Sequence, residues 1–142
     1  MSSITLALIL AGLLQAQPPD PKVEIAALLE SRQYAKALSL AQDLNRKNMD
    51  DVLVYRYLGE AYLGLGKLKE AEEAAQWMLD LRLGKSDTPG YLLVAKLRLA
   101  FDDPEGAREI LTTALQRLTA SQTKERAAIL ALAEQIGPPK SK

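Results

Sequence analysis

The chain has 142 residues, 48% of them hydrophobic and 25% charged, and its 18 basic and 18 acidic side chains cancel. That length suits one domain, the composition is that of a soluble globular protein, and the neutral balance supplies no field to gather nucleic acid or anionic lipid. There is no Cys and no His, which excludes disulfides, Cys- or His-ligated zinc, and any Ser-His-Asp or Cys-His catalytic group.

The chain begins with an apolar run at residues 4–14 (ITLALILAGLL), interrupted only by Thr5 and Gly12. It covers about half of the roughly 20 residues a helix needs to span a bilayer. The run leads to Ala16 and then to Gln17-Pro18-Pro19, a small residue followed by a Pro-rich start, as at a signal-peptide cleavage site. Residues 1–16 are therefore expected to be a signal peptide cut after Ala16, with residues 17–20 a Pro-rich linker and the mature chain periplasmic or secreted. The absence of Lys and Arg before the run argues the other way. The alternatives are an uncleaved membrane anchor, the only route by which a membrane would be a partner, and an apolar arm on a cytoplasmic protein. A lipoprotein-type anchor needs a Cys that the chain lacks.

Helix starts come in order along the chain. Asp20-Pro21, Thr88-Pro89 and Asp103-Pro104 each pair an N-cap side chain with Pro at the first helical position, and Asp50 or Asp51 can cap a helix from Val52. Gly84, after Leu83, marks a helix end. On the helix from Leu68, the residues Leu68, Ala71, Ala75 and Met78 share one apolar face. Ala37, Ala71 and Ala107 lie 34 and 36 residues apart, each just after a short turn, and Tyr55 and Tyr91 also lie 36 apart. Small residues at Gly59/Ala71 and Ala95/Ala107 would let paired helices approach closely. The spacing predicts an all-α stack of antiparallel helix hairpins over residues 21–136, in units at about 21–48, 51–84 and 88–119. A last helix, 122–136, carries Ala128, Ile129, Leu132, Ala133 and Ile136 and would cap the third unit, as the open end of a solenoid requires. Residues 137–142 form a basic tail.

Chemistry-bearing motifs are weak. Gly84-Lys85-Ser86 resembles the tail of a phosphate-binding loop, but Leu79 stands where that loop needs its first Gly, and no strand precedes it. The helix-end reading is preferred. Gly64 and Gly66 lack the third glycine of a dinucleotide site and read as turn glycines. Asp50-Asp51 and Asp102-Asp103 read as caps rather than acid–base pairs. Glu70, Glu72 and Glu73 read as a solvated face near Lys67 and Lys69. No catalytic residue, metal site, cofactor or small-molecule substrate is expected, and the chain is read as not an enzyme.

A period near 34 with two helices per unit resembles the tetratricopeptide repeat. The middle unit carries the likeness best, through Tyr55, Leu58, Gly59 and Tyr62 on its first helix and Ala71, Ala75 and Met78 on its second. The third unit keeps Tyr91, Val94, Ala95 and Ala107 but has Arg98 where an aromatic is usual. The first keeps Ala37, Ala41 and Leu44. The resemblance implies a right-handed α-solenoid whose first helices line a concave groove for a protein or peptide. Carried over position by position, the groove is Lys22, Ala26 and Leu29, then Leu53, Arg56, Glu60 and Leu63, then Leu92, Lys96 and Leu99. Of the residues with which some family members clamp a C-terminal carboxylate, only Lys22 matches. Trp77 falls on the convex side. It either bends into the gap between the second and third units or stands exposed as an anchor for a partner. The implied function is a protein-interaction module, with a secretion-type chaperone and a self-associating structural protein as alternatives.

Overall fold

The computed structural model describes residues 17–81 and 87–141, and every regular element within them is an α-helix. In chain order these are α1 (Pro21–Glu30), α2 (Tyr34–Lys47), α3 (Val52–Gly64), α4 (Leu68–Asp80), α5 (Thr88–Ala100), α6 (Pro104–Arg117) and α7 (Thr123–Ile136). None of them is long and apolar enough to cross a membrane. The expected signal segment and Gly84-Lys85-Ser86 lie outside the described residues.

Three of the expected caps form. The Asp20 carboxylate accepts from the Lys22 amide, Asp51 from those of Leu53 and Val54, and Asp103 from that of Gly106. Each satisfies donors that a helix start leaves unpaired. Two expectations need correction. The residue before α5 is Asp87, not Thr88. Thr88 opens the helix and is buried against the stack, with Pro89 next to it inside the first turn. The helix expected to run to Leu83 and stop at Gly84 ends earlier, at Asp80 with Leu81 as its C-cap.

Within each hairpin the turn has the same design. Arg32, Gly66 and Asp102 adopt left-handed backbone, with φ of 59°, 74° and 58°. The amide of each donates three residues back, to Leu29, Leu63 and Leu99 respectively. The next amide (Gln33, Lys67, Asp103) donates five back, to Leu28, Tyr62 and Arg98. This is the Schellman closure of a helix. That next residue is at once the N-cap of the following helix, whose first carbonyl bond goes to Ala37, Ala71 or Ala107. With no residue to spare between closing one helix and opening another, the partners must return antiparallel in the same register each time. The spacing of the three Ala residues is the spacing of this turn.

The hairpins α1–α2, α3–α4 and α5–α6 stack in order, and α7 packs on α5 and α6. The odd-numbered helices also touch one another, α1 on α3, α3 on α5 and α5 on α7. Among the described residues α2 and α4 do not touch, nor do α4 and α6. The odd row therefore forms the short, inner arc and the even row the splayed outer one. The chain is an all-α stack of hairpins with the consecutive packing of a solenoid.

The core runs through this stack in two clusters that share α5. Leu93, Val94 and Leu97 turn back onto the first two hairpins, while Tyr91 and Ala95 face Ala107, Leu111 and Ile129 of α6 and α7. On α7, Ile129 and Leu132 are buried and Ala133 and Ile136 partly so, whereas Ala128 stays exposed. The helix closes the third hairpin as expected. Arg108 of α6 ties down the chain just beyond α7, donating to the carbonyls of Gly137 (3.2 Å) and Pro138 (3.0 Å). None of the ion pairs among the described residues uses Glu70, Glu72 or Glu73.

Gly59 does sit on the α4 seam, since a Cβ added there would lie 3.7 Å from the Ala71 carbonyl oxygen. Its tightest neighbour is in the next hairpin, because the same Cβ would lie 2.7 Å from Leu93 Cδ2. One missing methyl thus lets three helices meet. Gly59→Val is expected to cost about 1–3 kcal/mol by overpacking. In urea unfolding, Gly59→Val and Leu93→Ala together should cost less than the sum of the single changes. Gly66→Ala, which forces a Cβ into left-handed backbone, should cost roughly 1 kcal/mol.

Candidate partner-binding groove

The inner arc holds a cavity of about 570 Å³. Its floor and walls come from Ala26, Leu29 and Glu30 on α1, from Arg56, Tyr57, Glu60, Leu63 and Gly64 on α3, and from Pro89, Leu92, Leu93 and Lys96 on α5. Tyr34 at the start of α2 closes one side. A second crevice, of about 50 Å³ between α4 and α5, is too small to admit more than a side-chain tip.

The shared turn makes positions 34 and then 36 residues apart equivalent on α1, α3 and α5. Ala26, Glu60 and Lys96 form one such row, and Leu29, Leu63 and Leu99 the next. Ala26 is the smallest member of its row, so at that level the α1 side of the cavity carries the least bulk. Gly64 contributes in another way. It ends α3, and a Cβ on it would lie 2.4 Å from ring carbons of Tyr34. Gly64 is thus a seat for an aromatic ring, and the expected role as a turn glycine belongs to Gly66 alone, with its positive φ.

The structure gathers seven of the ten expected groove residues around this cavity, namely Ala26, Leu29, Arg56, Glu60, Leu63, Leu92 and Lys96. The other three go elsewhere. Leu53 packs on the first core cluster and Leu99 on the second. Lys22 forms an ion pair with Asp51, the cap of α3, and so clamps the first hairpin to the second. Glu30, Tyr34, Tyr57, Gly64, Pro89 and Leu93 line the cavity without having been singled out for it. The Tyr34–Gly64 contact joins residues far apart in sequence, and only the packing of the first hairpin on the second brings them together.

The four charges in the groove are not equivalent. Arg56 Nη1 is 2.8 Å from Glu60 Oε1, with both side chains mostly buried. The Arg56 guanidinium also lies 4.9 Å from the centre of the Tyr57 ring, so carboxylate and ring together hold it in place rather than leave it free to reach out. Glu30 and Lys96 are exposed and form no ion pair among the described residues. Also among the described residues, no group of three or more carboxylates converges as a metal site would require.

Trp77 is 57% exposed on α4, in the outer row. It does not enter the gap between the second and third hairpins. Its ring stacks on Tyr55 of its own hairpin, with centroids 6.0 Å apart and planes 20° apart.

Compared with known proteins, the chain matches no family model, and no curated protein is significantly similar to it.

The Lys22–Asp51 clamp sets a pH dependence. The ammonium of Lys22 is held above its ordinary range by the hydrogen bond to Asp51 and that residue's charge, against a smaller pull from burial. Burial pushes the Asp51 carboxyl up. The hydrogen bond and charge of Lys22, with the Val54 and Leu53 amides, outweigh it and hold the carboxyl below its usual range. A lowered acid contributes stability that is present above its unfolded value of about 3.9 and is lost as pH falls through the folded one. A raised base contributes stability that is present below about 10.4 and is lost above its folded value. The clamp is therefore constant across neutral pH. Asp51→Asn, which keeps a capping oxygen, is expected to lower the urea midpoint at pH 7 and to narrow that deficit at pH 3.

Proposed function

We propose that this chain is a non-enzymatic protein-interaction module of the tetratricopeptide type, whose inner groove holds a peptide segment of a partner. The observation that carries the reading is the groove itself. Three successive odd helices present one continuous, largely apolar cavity whose walls are already packed by Tyr34, Tyr57 and Leu93. A preformed concave site that needs no rearrangement lowers the ordering cost of binding. The even spacing of the hairpin turns and the small-residue seams support the repeat assignment. The cavity offers apolar walls, two tyrosine rings and an internally neutralised Arg56–Glu60 pair, which suits side-chain docking rather than covalent chemistry. The apolar run and cleavage-like pattern at residues 4–16 support action after export, as a periplasmic or secreted scaffold or assembly factor.

The groove reading is tested by affinity capture from the native source with three baits. Proteins that bind through the groove should be retained by wild type and by Trp77→Ala, and lost with Ala26→Phe, which fills the α1 side of the cavity. Partners indifferent to Ala26→Phe would remove the reading.

One observation favours a second reading. Trp77 is the most exposed aromatic side chain among the described residues, and its stack on Tyr55 holds it as a rigid apolar surface. Self-association through the outer row would use it. Light scattering should then give a dimer mass that reverts to monomer in Trp77→Ala, and a monomer at all concentrations for the unmodified chain would dismiss this alternative.

A further inference from the structure

The groove has polarity. With Arg56 and Glu60 paired to each other on the central helix, the exposed charges left are Glu30 on α1 and Lys96 on α5, one at each end of the cavity. α1 and α5 are both neighbours of α3, on opposite sides. Two interaxial steps of about 8–10 Å separate them. A ligand lying across the arc therefore meets a carboxylate, then an apolar floor with a closed ion pair, then an ammonium.

We infer that the groove selects an extended, apolar segment carrying a basic side chain at its α1 end and an acidic one at its α5 end. This inference rests on the groove reading proposed above. The occupant is extended because a single strand can set alternate side chains into the open cavity while its backbone stays at the mouth, whereas a helix about 10 Å across would have to enter bodily. At about 3.3 Å per residue, a span of roughly 16–20 Å places the two charges about six residues apart. Leu29, Leu63 and Leu92, with the Tyr34 and Tyr57 rings, take the apolar side chains between them. Ala26 leaves room for the largest of these beside α1. The exposed charges at the ends act mainly as selectors. A matched end gains a modest ion pair and a like-charged end is repelled, both contributions weakening as salt is added. A segment with acid at both ends, or base at both ends, therefore always meets one repulsive contact.

The test uses three fluorescein-labelled seven-residue peptides, acetylated and amidated, with one shared apolar centre. Their terminal residues are Glu and Lys, Glu and Glu, or Lys and Lys. Anisotropy titration of the full chain is expected to rank the Glu/Lys peptide tightest, by about 5- to 10-fold over either like-charged peptide. In Lys96→Glu the Lys/Lys peptide should become the tightest, and in Glu30→Lys the Glu/Glu peptide. Both substitutions are at exposed positions, and an unchanged urea midpoint would show that the stack is intact. Equal binding of all three peptides, or an order that survives both substitutions, would overturn the charge selection while leaving the groove reading standing. Failure of every peptide to bind would overturn both.

Discussion

The left-handed residue at the tip of each hairpin governs the rest of the structure. Arg32, Gly66 and Asp102 turn the chain through the same closure, and the residue after each is already the cap of the next helix. A linker this short has no conformational slack. It dictates an antiparallel return and sets which residues of the two helices face each other, so Ala37, Ala71 and Ala107 arrive at the seam by geometry. Only the middle turn uses Gly. Arg32 and Asp102 hold the same backbone against the steric cost of a Cβ, which indicates that the packing of the paired helices, rather than local preference, enforces the turn.

Curvature comes from which helices touch. Contact along α1, α3, α5 and α7, without matching contact along α2, α4 and α6 among the described residues, bends the stack toward the odd row. Gly59 makes that close approach possible at the centre, because Leu93 of the next hairpin occupies the space a side chain would need. Bringing the odd helices together on one side encloses the cavity, and Gly64 under the Tyr34 ring closes it at one side. α5 is buried on two sides by the two core clusters, so the groove wall it provides is among the most constrained parts of the molecule. A wall of that kind suits recognition by shape and charge position.

Charged groups serve two different ends here. Lys22–Asp51 and Arg56–Glu60 are consumed within the fold, one clamping hairpin to hairpin and the other settling the centre of the groove. Glu30 and Lys96 remain exposed at the cavity's ends. The neutral net charge of the chain hides this division, since the composition counts every charged side chain alike.

Much of the fold was legible in the sequence because it rests on local rules. Asp20, Asp51 and Asp103 cap helices through their own side chains, Pro21 and Pro104 fit first turns, and the 34- and 36-residue spacing of the Ala residues reports a turn built from neighbouring residues. Most of the expected groove residues line the cavity for the same reason, since periodicity assigns a face. The rest was decided by contacts between distant segments. Lys22 faces the groove by register but is captured by Asp51 of the next hairpin. Gly64 looks like a turn glycine until Tyr34 lies across it, and Trp77 takes its place from Tyr55. Helix formation, capping and hairpin register depend on residues a few positions apart, and the sequence by itself determined them. The curvature, the cavity and the fate of each charge depend on how hairpins pack against one another, and only the tertiary structure decided those.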